Sequence, residues 1–576
     1  MPQSVSQDIG APIPNNTPHA VSVTLPTWEA TVGYEEGQDW VVNKMHSGYP
    51  RFFIHSKIQE LAALIELNYA RDDEKTFIFP TYNVAKRCRE FIKNKTKLTP
   101  CPVRIFQLSS PAPKNEDEAS FRIEANIAVV FFPSSEFGLA KNYWQHAGEG
   151  ISSRLAEYFL NEMRDKLTAD IKDKRPGLKR NSGRSSRSSR SSRSSHSSTL
   201  NSNPTAEFST FVEERFGRNL DVRFAKEAKK LLKQRLATSI EHNTSPDDVY
   251  LAPSGMAAIF AAHQMILNTT EGASEQKSVC FGFPYVDTLN ILRKWGAGVH
   301  FYGFGDDESL DELEKRLEGG EKILSLFCEF PSNPLLKTPD LIRIHKLSAK
   351  YDFAIVVDDT VGNSSNLDIL PYCDITVSSL TKIFSGDSNV MAGSYVLNKQ
   401  SPRYKIFKEY LNENYEDLFW DQDAIFLERN SRDYESRSKE MNKNSLKVLK
   451  LFQDCPLIDR IYYPSVSESK KHFDALIKPG GGYGALMSIV FKEEADAVCF
   501  FNNANLSKGP SLGTNFTLVC PYAILAHFQE LDEVANWGVD KNLVRLSIGL
   551  EPAAELLGVL QEALDLAKEQ RDFADN

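Results

Sequence analysis

The sequence predicts an α/β protein: a mostly parallel, doubly wound sheet domain, a smaller C-terminal α+β domain and an extra N-terminal α+β module. Three observations carry this. Between residues 257 and 357, short apolar runs alternate with amphipathic stretches of helical period, the signature of βαβ units. Residues 173–204 contain the repeat Arg184-Ser-Ser-Arg187-Ser-Ser-Arg190-Ser-Ser-Arg193 and almost nothing apolar, so they divide the chain. From about residue 462 the parallel alternation weakens.

In chain order, residues 1–19 lack periodicity and are expected to be disordered. The N-terminal module, 20–172, has candidate strands at 76–80, 103–108 and 127–132 and helices at 57–69, 84–93 and 151–166. Its turn His146-Ala-Gly-Glu-Gly150 leads into the last of these helices, with Ser152 as a cap, and no chemistry is legible in it. The Arg/Ser segment reads as a flexible linker that leaves the two halves free to move independently; RNA binding, a nuclear signal and phosphorylation are weaker readings of it. The next domain, 205–461, alternates helix 257–267, strand 279–283, helix 288–295, strand 299–304, helix 310–317, strand 323–328, helix 341–351 and strand 354–357. A long helical stretch, 423–453, follows. The last domain, 462–576, has strands at 485–491 and 543–547 and a helix at 553–570.

Composition narrows the function. A formal charge of −10 argues against nucleic acid as a partner, because neutralising phosphates takes excess positive charge. No apolar segment reaches the length of a membrane span. The eight cysteines form no C-x-x-C pair and lie in apolar runs, as buried thiols of a reducing compartment do. The expected location is the cytoplasm, with the nucleus compatible with the Arg/Ser run. None of the eleven histidines has metal-ligand spacing, so no metal site is expected. Gly480-Gly-Gly-Tyr-Gly484 lacks the lysine of a P-loop and reads as a turn before a strand.

The chemistry gathers around Lys382, in Asp374-Ile-Thr-Val-Ser-Ser-Leu-Thr-Lys382-Ile-Phe-Ser-Gly386. A lysine beside Ser379 and Thr381, with Asp358 ending the preceding apolar strand, is what a pyridoxal-phosphate site requires. The amine bonds to the cofactor aldehyde, the hydroxyls and nearby amides receive the phosphate, and the carboxylate keeps the ring nitrogen protonated. Taken singly, each element has a plainer reading, such as a surface lysine or a helix cap. Ser254-Gly255-Met256 opens a helix whose N-terminal amides suit a phosphate. Tyr285, after the strand at 279–283, can stack on a flat ring. Asn333, in Glu329-Phe-Pro-Ser-Asn333-Pro, can bind a phenolic oxygen. In a doubly wound sheet, the carboxyl ends that carry these residues converge on one crevice.

These segments, with Val356-Val-Asp358-Asp-Thr360, resemble the trans-sulfuration group of Cys/Met-metabolism enzymes, from about residue 208 to 566. The resemblance implies the pyridoxal-phosphate-dependent transferase fold type I. It makes Lys382 the cofactor lysine and proton shuttle, with Tyr285 as a second catalytic residue, and assigns the ring nitrogen to Asp358. The phosphate falls to Ser379, Thr381, Gly255 and Met256, and the ring hydroxyl to Asn333. It also implies that Arg218, in Phe216-Gly-Arg218, reaches a neighbouring subunit's phosphate in a homodimer or homotetramer with shared sites, although the family's tyrosine is absent there. Ser511 and Arg545 resemble substrate-carboxylate residues. Departures are Ile383 for an aromatic, Asp387 for a histidine, and Thr514-Asn515-Phe516 for the usual Gly-Val-Glu.

Together with the long N-terminal module, this pattern is most similar to the long-form fungal cystathionine γ-synthases. The implied reaction is γ-replacement on O-acyl-L-homoserine by L-cysteine. A sulfhydrylase and the cystathionine β- or γ-lyases share every cofactor residue and stay open, as does a non-enzymatic scaffold with a degenerate site. All residues with assignable chemistry lie after Phe208, so residues 1–200 are expected to be dispensable for the chemical step.

Overall fold

The computed structural model describes residues 8–45, 47–50, 53–174 and 221–574. The expected linker from residue 175 onward, and Arg218, lie outside them.

Three sheets organise the molecule. In the N-terminal module, β1 (Glu74–Phe79), β2 (Arg104–Ser109) and β3 (Asn126–Pro133) form an antiparallel sheet in the order β1-β3-β2. Helices Ser56–Tyr69 and Ser153–Lys174 cover one face, where Leu61, Ile65, Phe131 and Phe159 are buried together. Helices Tyr82–Lys95 and Phe137–Ala147 cover the other.

The central sheet is seven-stranded: β4 (Val249–Ala252), β10 (Gly393–Leu397), β9 (Ile375–Ser378), β8 (Ala354–Asp358), β7 (Ile323–Glu329), β5 (Lys277–Phe281) and β6 (Val299–Tyr302), side by side in that order. Strands β5 to β9 run parallel, and β10 is antiparallel to both of its neighbours. β7 is buried at every position, because helices cover both faces of a doubly wound sheet; that is why it is apolar on both faces, with Ser325 and the terminal Glu329 as exceptions. The C-terminal sheet has the order β11 (Ile458–Tyr462), β12 (Leu486–Phe491), β15 (Leu543–Ser547), β14 (Leu518–Pro521), β13 (Ser507–Lys508).

Several expected boundaries move for local reasons. The strand predicted at 279–283 ends at Phe281 because Gly282 turns the chain at φ +87°, and Phe283 joins a different core. The stretch 423–453 is two helices, Asp421–Asn430 and Tyr434–Gln453, parted where the Ser431 hydroxyl bonds back to the Glu428 carbonyl. Val448, Leu449 and Phe452 of the second helix belong to the C-terminal core.

Two larger expectations are corrected. Residues 8–19, expected to be disordered, are pinned in place. The Gly10 amide donates to the Thr24 carbonyl at 2.9 Å, and His19 bonds to Ser153 at 2.9 Å and Glu157 at 3.1 Å. Nor do the halves move independently. Phe91 and Tyr143 of the module pack on Trp295 and Phe260 of the central domain, with centroids 5.3–6.4 Å apart. Arg154 forms a 2.8 Å ion pair with Asp423 in which both side chains are buried. Apolar surface on both sides of the predicted linker forms one core, which no feature of the linker's own composition reveals.

The glycines at 480–484 form the expected turn before β12. Seven of the cysteines are buried free thiols and Cys101 is half-buried. Among the described residues no helix is long and apolar enough to cross a membrane.

Candidate functional site

A cavity opens at the carboxyl ends of β5, β7, β8 and β9, where the sheet directs the residues that follow each strand. Lys382 lies on the turn after β9 and is 7 % exposed. Its Nζ donates to the Ser511 hydroxyl at 2.8 Å and to the Tyr49 hydroxyl at 3.1 Å, with the Tyr49 ring centroid 4.6 Å away. No carboxylate pairs with it among the described residues. Ser511 holds φ +96°, an unfavourable conformation for a side-chain-bearing residue, and Arg545 Nη2 braces its carbonyl at 2.6 Å.

Asp358 ends β8 and lies beside Glu329 in the paired register of β7 and β8. Its carboxylate accepts from the Thr360 amide at 2.9 Å and meets no cation among the described residues, and burial raises its pKa. Glu329 is raised well above the usual carboxylate range by burial and then by Asp358's charge. It accepts from the backbone amides of Tyr285 and Asn333, so it fixes the two turns that carry those residues.

Ser254 caps the helix Gly255–Thr269, accepting from the Ala257 amide at 3.0 Å. The first-turn amides of such a helix have no intrahelical partner and face an anion well. Gly255 is required there: a Cβ would sit 2.6 Å from the Ser379 Cβ. The Thr381 hydroxyl bridges the amide and carbonyl of Ala392 at 3.0 and 3.1 Å, tying the lysine turn to the approach to β10. Met256 and Tyr285 complete this wall.

Asn333 accepts from Arg545 Nη1 at 3.0 Å and donates to the Tyr522 hydroxyl at 3.3 Å, so it links the two halves of the cavity. The Arg545 guanidinium lies 4.5 Å from the Tyr522 ring centroid and is buried, with no carboxylate partner among the described residues. Two of the sequence departures meet here: the Asn515 amide donates to Asp387 at 2.7 Å. Arg437 bonds Asn515 at 2.8 Å and the carbonyls of Ile383 and Phe384 at 3.1 and 3.0 Å, holding the turn that follows Lys382.

Of the sequence-predicted residues, Lys382, Asp358, Ser379, Thr381, Gly255, Met256, Tyr285, Asn333, Ser511 and Arg545 all line this one cavity. Tyr49 and Tyr522 were missed, since neither lies in a periodic segment or a motif. Tyr49 brings to the lysine a residue that precedes Phe208, where the sequence placed only later ones. The N-terminal module also supplies His19, His55, Trp144 and Arg154 to the walls. Elsewhere, Asp307, Asp340 and His472 approach one another, with the Lys471 ammonium also paired to Asp307.

The site fits pyridoxal phosphate. It offers a buried lysine with neutral partners, a buried carboxylate lacking a cation, a helix N-terminus too close to Ser379 for any Cβ, and a buried arginine with spare donors.

Comparison with known proteins agrees. Residues 178–565 match the family described as Cys/Met metabolism PLP-dependent enzyme, and residues 57–152 match the fungal trans-sulfuration enzyme N-terminal domain. Cystathionine γ-synthase of Neurospora crassa is 43 % identical, with 98 % of this chain and 99 % of that protein covered. The Saccharomyces cerevisiae enzyme of the same name is 44 % identical over the same shares. The crystal structure of cystathionine γ-synthase from Xanthomonas oryzae pv. oryzae, in complex with cystathionine, superposes with a TM-score of 0.52. At 24 % identity, covering 60 % of this chain and 86 % of that one, it shares the fold.

Proposed function

We infer that this chain, which belongs to the Cys/Met metabolism family of pyridoxal-phosphate-dependent enzymes, is a cystathionine γ-synthase. It converts O-acyl-L-homoserine and L-cysteine into L-cystathionine. The Cγ–O bond breaks with the acyl group leaving as a carboxylate, the Cγ–S bond forms, and the thiol proton is released.

Pyridoxal phosphate, when bound, supplies an electron sink that acidifies the hydrogens of the amino acid it holds. The rest falls to the protein. Gly255, Met256, Ser379 and Thr381 would hold the phosphate, with the Thr381 hydroxyl also tying the lysine turn to Ala392. Asp358 would hold the ring nitrogen with its buried carboxylate, and Tyr285 would stack on the ring. Arg545, steadied by Asn333 and the Tyr522 face, clamps the substrate carboxylate and so sets which Cα bond is presented. Lys382 Nζ takes the Cα proton and later returns a proton to the product. The catalytic unit works as a homo-oligomer in the cytoplasm, and Arg218 serves a neighbour's phosphate.

The observation that carries this reading is one cavity lined by Lys382, Asp358 and Arg545, in a chain 43–44 % identical to two cystathionine γ-synthases along nearly its whole length. Purified protein loaded with cofactor should release cystathionine from an O-acyl-homoserine and cysteine, and Lys382→Ala should abolish this while leaving the fold intact. Faster turnover with sulfide than with cysteine would assign it instead as a sulfhydrylase.

A further inference from the structure

The N-terminal segment reaches the reacting lysine by an anchored route. The Val21 amide donates to the Ser388 carbonyl at 2.9 Å, in the turn that follows Lys382. The Ser22 hydroxyl donates to the Pro510 carbonyl and the Leu25 amide to the Lys508 carbonyl, in the segment that carries Ser511. Residues 21–25 therefore strap together both turns that flank the amine. The Ser47 hydroxyl then ties the following loop to Ala20 at 2.9 Å, and Gly48 packs so tightly on Phe53 that a Cβ would lie 2.4 Å from it. The Phe53 amide donates to the Tyr49 carbonyl at 3.0 Å. Tyr49 is thus placed by the backbone on both sides of it.

We propose that Tyr49 is a positioning residue for the Lys382 amine, supplied by the N-terminal segment and acting on the proton transfers that Lys382 performs. A lysine has a four-carbon stem with free rotation about each bond, so one hydrogen bond leaves its amine free to swing. The hydroxyls of Ser511 and Tyr49 accept from it in two directions, and the Tyr49 ring lies on the cation. With two neutral acceptors and no carboxylate among the described residues, the amine is aimed without being locked in an ion pair. The proposal rests on the assignment of Lys382 made above.

The test is Tyr49→Phe, which keeps the ring and its packing and removes only the hydroxyl. In the cofactor-loaded enzyme, exchange of the substrate Cα hydrogen in heavy water, without any sulfur acceptor, isolates the lysine step. That exchange and kcat should both fall by about tenfold or more, since misplacing a reacting group by about 1 Å can cost about a hundredfold. KM should move by less than about threefold, with cofactor content unchanged. In cofactor-free protein, reductive methylation of Lys382, followed by peptide mass, should run about fivefold faster, the worth of a hydrogen bond of about 1 kcal/mol. Either rate within twofold of wild type, or a parallel loss of cofactor, overturns the proposal. A wild-type enzyme that exchanges the Cα hydrogen yet makes no cystathionine would refute the reaction above and leave Tyr49's role standing.

Discussion

Arg154→Met tests whether the N-terminal module and the central domain are one folding unit. Arg154 is 6 % exposed and Asp423 2 % exposed, and Arg154 Nη1 lies 2.8 Å from the carboxylate with the Phe426 ring centroid 3.9 Å from the guanidinium. Burial alone lowers the arginine's pKa, and Asp423 opposes that. Removing the arginine strands a buried carboxylate, which costs about 3–5 kcal/mol, whereas replacing both partners with apolar residues is near neutral. Denaturant unfolding should be followed by two signals, cofactor-region absorbance and the fluorescence of Trp144 in the module. Arg154→Met should lower both midpoints together by that amount, and Arg154→Met with Asp423→Leu should recover most of the loss. A cost below about 1 kcal/mol, or a module signal that shifts while the cofactor signal stays, would refute the single-unit reasoning.

Other outcomes follow from the same geometry. Gly255→Ala should weaken cofactor binding by about tenfold or more with the fold retained, read as cofactor content after dialysis, because the new Cβ would enter the Ser379 side chain. Arg545→Ala should raise KM for the homoserine ester by about 10–100-fold, the worth of a charge-assisted hydrogen bond of about 1.5–3 kcal/mol, in steady-state kinetics. Burial lowers His55 to about 4 and also lowers His19, so both stay neutral in the folded protein. The His55 contribution is intact above the unfolded value near 6.5 and is lost as pH falls toward 4, by up to about 3 kcal/mol, and His19 acts in the same direction. Glu157, held at about 2 chiefly by its hydrogen bond from His19, loses its contribution only below about 4.5. Urea midpoints between pH 6.5 and 4.5 should therefore fall less steeply in His55→Gln than in wild type.

What could be read from the sequence is what repeats or what clusters. β7 and β8 are apolar on both faces and announce themselves, and the motifs at their ends name Asp358, Asn333 and Lys382 because a sheet edge gathers them. Ser511 was identified as a residue of the site, but its hydroxyl on Lys382 was not, since that contact depends on a strained backbone. Tyr49 and Tyr522 were invisible because their hydrogen bonds to Lys382 and Asn333 cross 333 and 189 positions and leave no periodic trace nearby. The departures at Asp387 and Asn515 looked like two separate losses and are one pair, joined across 128 positions. The linker's composition suggested independence because it says nothing of the apolar faces on either side.

The strap also sets an order of events during synthesis. Ser22 bonds to a carbonyl 488 residues further along the chain, so a segment made among the first must wait for one made near the end. Helices and hairpins of the module form from local contacts as the chain emerges, but closing so long a loop comes late and slowly. Nascent chains stopped before about residue 511 lack Ser511, Arg545 and the strap's docking partner. Such fragments can fold the module and still leave Lys382 without its Ser511 partner.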